Sequence, residues 1–89
     1  MELENDARDD IVKRLRRVQG QIGGLVSMVE DGRRCDEVVT QLAAAAKALD
    51  RVGFKIVASG LRECSTAEFS GGTPEVSREQ LEKLFLSLA

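Results

Sequence analysis

The sequence predicts an all-α fold of three helices. Apolar residues recur at steps of 3 and 4 along most of the 89 residues, no run alternates as a strand does, and stop signals divide the chain at Asp31-Gly32 and across 65–76. Helix 1 is expected over about 6–31. Asp9 and Asp10 in its first turns suit the positive end of the helix dipole, and Asp31-Gly32 closes it. Ile11, Leu15, Val18, Ile22, Leu25 and Val29 form one heptad seam. Gly20, Gly23 and Gly24 each cost about 1 kcal/mol relative to alanine, yet the seam passes through them in phase. Close approach of a partner helix explains them better than local weakness.

Helix 2 is expected over about 35–64, with Leu42, Ala45, Leu49, Val52 and Ile56 on one seam and Ala43, Ala46, Gly53, Val57 and Gly60 on a second, smaller-residue seam. Two seams imply two packing partners. A loop from about 65 to 76 carries the single proline, Pro74. Helix 3 is expected over about 77–89. Ser77 and Gln80 have capping-box spacing, and Val76 and Leu81 are placed as a hydrophobic staple.

The two cysteines are the most informative residues. Cys35 and Cys64 lie 29 positions apart on one expected helix, and the chain has no histidine. At about 1.5 Å per residue the sulfurs are roughly 43 Å apart, so they cannot meet within one chain. Twenty-nine steps of about 100° return to within roughly 20° of the starting direction, so both project from one face. Two copies of helix 2 packed antiparallel about Leu49 and Asp50 bring Cys35 of one subunit beside Cys64 of the other, twice per dimer. The same register sets Ala46 opposite Gly53 and Leu42 opposite Val57.

Composition narrows the function classes. Eighty-nine residues make one domain with a small core, for which oligomerisation is a natural source of stability. No apolar run approaches the ~20 residues of a membrane span, and the acidic start Met1-Glu2-Leu3-Glu4 is unlike a secretory leader. These features point to the cytoplasm and away from a membrane. Two widely spaced thiols are no disulfide framework there; they read as inert core residues, metal ligands or redox sensors. No nucleophile–base motif is present, so catalysis is not expected, nor is a cofactor. The net charge of −2 gives no global case for nucleic acid. Lys13, Arg14, Arg16 and Arg17 nevertheless cluster on helix 1, while Arg33, Arg34, Lys47, Arg51 and Lys55 add positive charge beside or along helix 2. A solvated face is the ordinary explanation for such a run. Helices this long do not suit a helix-turn-helix module, so any DNA is held across an assembled helical surface.

The segments Arg14-Leu15-Arg16-Arg17-Val18-Gln19-Gly20-Gln21, Val38-Val39-Thr40-Gln41-Leu42, Ala48-Leu49-Asp50-Arg51-Val52 and Leu61-Arg62-Glu63-Cys64, with Met28, Glu30 and Cys35, resemble the copper-sensing operon repressor family, also called CsoR/RcnR-like. The likeness covers about 11–64. It implies an antiparallel dimer whose long helices form a four-helix bundle, a dimer-of-dimers homotetramer, and repression relieved when the cysteine site is occupied. Arg14 and Arg51 fall where family members contact double-stranded operator DNA, and Lys13 and Arg17 are candidates beside them.

The departures bear on the effector. Copper-sensing members place a histidine where this chain has Gly60, the aromatic that often precedes the first cysteine is Arg34, and the acid expected on helix 3 falls near Gln80, with Glu79 and Glu82 close. Nickel and cobalt sensors use several histidines. Formaldehyde-responsive members have proline after Met1, where this chain has Glu2. The remaining pattern, two thiols without imidazole, resembles the persulfide-sensing branch, the CsoR-like sulfurtransferase repressors, and so implies sulfane-sulfur donors as effectors. In that reading Cys35, at a helix N-terminus beside Arg33 and Arg34, is the nucleophile, and Cys64 resolves the persulfide. The alternative is a copper(I)-responsive repressor holding the metal through Cys35 and Cys64. A helical assembly module that binds no DNA is the third class.

Overall fold

A computed structural model describes residues 5–89; the acidic start at 1–4 lies outside them. Three helices follow in order, α1 (Asn5–Glu30), α2 (Cys35–Phe69) and α3 (Arg78–Leu88), with no strand among the described residues. The all-α expectation therefore holds. Helix α2 is the spine, with α1 folded back along it and α3 packed on its C-terminal half.

Each turn is built by local chemistry. Gly32 takes a positive φ of 68°, which lets the Arg33 amide donate to Met28 O at 2.9 Å and the Gly32 amide to Val29 O at 3.2 Å. This closes α1 as a Schellman motif, satisfying carbonyls that the helix end leaves without partners. Gly71, with φ 76°, repeats the device after α2, where the Gly72 amide reaches Ala67 O at 2.8 Å. Helix α3 starts on the expected capping box. The Gln80 amide donates to Ser77 Oγ at 3.1 Å, and the Ser77 amide donates to Gln80 Oε1 at 2.9 Å.

Two expectations need correction. Helix α2 does not end at Cys64; it continues to Phe69, because Ser65–Phe69 is helix-compatible and the first positive-φ glycine is Gly71. The single seam of α1 also divides. Ile11 and Val18 are buried against the chain's own fold, whereas Leu15, Ile22 (49% exposed) and Val29 (65% exposed) face outward. The half-buried positions Ala7, Arg14, Gln21, Leu25 and Met28 complete the inward stripe at heptad spacing. Val12 and Val26 join the outward one.

The face of α2 carrying the small-residue seam is shared in the same manner. Val57, Gly60 and Cys64 are buried at its C-terminal half, where Leu81 of α3 is also buried. Gly53 is covered within the chain: a Cβ there would lie 3.0 Å from Leu88 Cδ1. Beyond the reach of α3, Val39, Leu42, Ala43 and Ala46 on the N-terminal half are exposed. A Cβ at Gly20, Gly23 or Gly24 meets nothing within 4 Å, so these glycines are not required by packing inside the protomer.

The protomer is elongated, 57 × 25 × 13 Å, with a radius of gyration of 16.9 Å against about 12 Å for a compact chain of this length. Its accessible surface of 6661 Å² exceeds the roughly 5,100 Å² typical of a monomer of this mass. The outward stripes of α1 and α2 supply much of the apolar part, a pattern that marks association surfaces.

Candidate functional site

Cys35 is the first residue of α2 and is exposed. The turn before it is held by neighbouring charges: Arg33 Nε donates to Glu37 Oε2 at 2.8 Å, and Arg34 pairs with Asp36 at 3.2 Å. Both cations expected beside the thiol are thus engaged by carboxylates on the first turn of α2.

Cys64 has a different setting. It is 0% exposed and sits where α2 meets α3 and the loop between them. Its Sγ–H donates to Glu68 Oε1 at 3.2 Å, one helical turn on. Glu68 in turn accepts from Arg78 Nε of α3 at 3.1 and 3.3 Å, and Arg78 donates to Ser65 Oγ at 2.7 Å. Burial pushes the Cys64 thiol up, and the Glu68 carboxylate adds to the effect, with Arg78 opposing it. Glu68 is held below the usual carboxylate range by its hydrogen bonds from Cys64 and Arg78. A cavity of about 140 Å³ opens beside the thiol, lined by Gly60, Glu63, Ala67 and the loop residues Thr73–Val76. Gly60 is buried at its wall.

Glu68, Arg78 and Ser65 were not among the expected site residues. The available signal was the i, i+4 spacing of Cys64 and Glu68, hidden by ending the helix at Cys64.

Within one protomer the thiols stand apart. One straight helix separates them by 29 residues, roughly 43 Å. They share a helical face, and that face is covered by α3 around Cys64 and open around Cys35. No group of three or more His, Cys, Asp or Glu side chains is placed to hold a metal ion among the described residues. The two thiols of one chain are therefore too far apart to hold one metal ion together.

The basic residues divide between two settings. Lys13, Arg16 and Arg17 are exposed on α1, and Arg51 is exposed on α2. Arg14 is half-buried on the side of α1 that faces α2; its Nε donates to Asp10 Oδ2 at 3.0 Å. The same carboxylate oxygen lies 3.4 Å from Lys55 Nζ of α2. Asp10 is held below the usual carboxylate range, first by the Arg14 hydrogen bond and then by Lys55, with desolvation opposing.

A family model described as "metal-sensitive transcriptional repressor" matches residues 7–87. The chain belongs to this family. Similar proteins include the copper-sensing transcriptional repressor RicR of Mycobacterium tuberculosis, 37% identical over 75% of this chain and 70% of the relative. The copper-sensing transcriptional repressor CsoR of Bacillus subtilis is 28% identical over 88% of this chain and 77% of its own length. The uncharacterized protein YrkD of the same species is 39% identical over 67% of this chain and 98% of its own. The family, and RicR and CsoR among these relatives, are described as transcriptional repressors rather than enzymes. No described helix is long and apolar enough to cross a membrane.

Proposed function

We propose that the chain is a cytoplasmic DNA-binding repressor, antiparallel dimers of which pair into a tetramer, and that its release from operator DNA is triggered at a thiol pair formed by Cys35 and Cys64 of the partner subunit. The observation that carries this reading is the shared helical face. Cys64 lies under α3 at one end of α2 and Cys35 is open at the other, so a second α2 running the opposite way sets the two at the same level, and α3 gives way over Cys64 where the sulfurs meet. The apolar stripe Val39, Leu42 and Ala46 beside Cys35 supplies a surface for that second helix, and Arg14 and Arg51, with Lys13 and Arg17, supply the charge for DNA.

Two effectors suit the pair, each favoured by its own observation. Copper(I) is supported by the relatives, two of which are copper sensors, and this is the better supported of the two by comparison. Cys35 and Cys64 of the partner subunit would hold the metal as two soft thiolate donors, and a shared ion there would link the subunits. Sulfane sulfur is supported by the donor set itself, two thiols and no histidine. The Cys35 thiolate attacks the outer sulfur of a persulfide R–S–SH, giving Cys35–S–SH and releasing RS⁻. The Cys64 thiol then attacks the Cys35 sulfur, forming the disulfide and expelling hydrogen sulfide.

Anaerobic titration of the repressor–operator complex separates the readings. Release at stoichiometric copper(I) with indifference to persulfide establishes the metal; release by persulfide with indifference to copper(I) establishes sulfur chemistry. A Cys35→Ala variant that responds like the parent to either one overturns the thiol trigger.

A further inference from the structure

We propose that Lys55 is a further contact to the phosphate backbone of operator DNA, and that Asp10 gathers Lys55 and Arg14 from two helices into a single phosphate clamp. The proposal rests on the DNA-binding surface described above and adds to it a residue and an arrangement.

One carboxylate oxygen, Asp10 Oδ2, takes the Arg14 Nε hydrogen at 3.0 Å and lies 3.4 Å from Lys55 Nζ. Two cations that can share one oxygen of a carboxylate can share one phosphate in the same way, because a phosphate offers more acceptor oxygens in a similar small volume. The three side chains remain 37–46% exposed. Exposed pairs of this kind are weak, so a phosphate can displace the carboxylate.

Position supports the same reading. Arg51 lies one turn before Lys55 on α2, and Lys47 one turn before that, so the three cations form a row at i, i+4 spacing. Asp10 joins that row to the α1 cluster of Lys13, Arg14 and Arg17. On the far side of Lys55, Arg62 donates to the buried Ser59 Oγ at 3.0 Å, and these groups rim a cavity of about 130 Å³ that also includes Asp10. Asp10 is the carboxylate that pairs with both Arg14 and Lys55, while Asp6, Asp9 and Asp50 are exposed nearby in sequence. Asp10 holds Arg14 and Lys55 close together, and its charge opposes binding until phosphate takes its place.

The test is operator affinity measured against salt concentration with the full-length assembly. Replacing Lys55 by Gln should weaken binding about tenfold at moderate salt and reduce the slope of log affinity against log salt by about one. Lys55→Arg should keep the slope. Asp10→Asn should tighten binding several-fold and steepen the slope, with the melting temperature showing that the fold is kept. If Lys55→Gln leaves affinity and slope unaltered while Arg14→Gln weakens both, the clamp is rejected and the DNA surface stands. If neither substitution has an effect, the surface itself is rejected. Weaker binding by a destabilised Asp10→Asn protein assigns the pair to tying α1 onto α2 and overturns the clamp.

Discussion

Cys35 and Cys64 lie on one face of one helix, yet their surroundings are opposite. Cys35 opens α2, exposed, with its neighbouring arginines paired to Glu37 and Asp36. Cys64 is enclosed by α3, donates to Glu68, and through Glu68 is linked to Arg78. The difference teaches that the two thiols are not interchangeable. One is exposed to an incoming reagent, whereas the other is enclosed, pushed up by burial and linked through Glu68 to Arg78 of α3, so a change at Cys64 is felt by α3.

The largest expected effect is on response. Cys35→Ala should abolish effector-induced release while leaving operator affinity within about twofold, because an exposed side chain contributes little to folding; a gel shift with and without effector checks it. Next is the enclosure of Cys64. Leu81, 2% exposed on α3, is the buried anchor of the α2–α3 contact, so Leu81→Ala should cost about 2–5 kcal/mol and make Cys64 react with maleimide as fast as Cys35 does. Equal alkylation rates of the two thiols in the unaltered protein would remove the contrast.

A smaller effect concerns pH. The Cys64 thiol is raised above its ordinary value by burial and by Glu68. The folded state therefore keeps its proton longer than the unfolded chain does. Its contribution to stability is full below the unfolded thiol value and is lost as pH rises through the folded one. Glu68→Gln removes the carboxylate charge that raises the thiol and leaves the lowering effect of Arg78 unopposed by it. In a Cys35→Ser background it should move the inflection of Cys64 alkylation to lower pH, and an unchanged profile argues against the Glu68 contact.

Much of this was legible in the sequence, and the gaps have physical causes. The stop at Asp31-Gly32 and the Ser77–Gln80 box depend on local hydrogen bonds, which neighbouring residues determine by themselves. The end of α2 was misplaced because Ser65 and Thr66 look like loop residues, although Thr66 Oγ1 donates to Arg62 O within the helix at 3.0 Å. The heptad on α1 was real, but periodicity records only that a face is apolar. Which positions turn to the chain's own α2 and which outward depends on the crossing of two helices, and Arg14 and Gln21 in the inward stripe carry no apolar signal. Lys55 is legible as one of the basic residues of helix 2, but its pairing with Asp10 is not, because Asp10 lies on a different helix.

Peptide mapping after mild oxidation tests the central claim most directly, since it asks which sulfurs can meet. Oxidised with diamide, separated without reductant and digested, the protein should yield covalent dimers whose linking peptides join Cys35 of one chain to Cys64 of the other. Monomers with both thiols free, or dimers joined only through Cys35 to Cys35, would contradict an intersubunit site built from both.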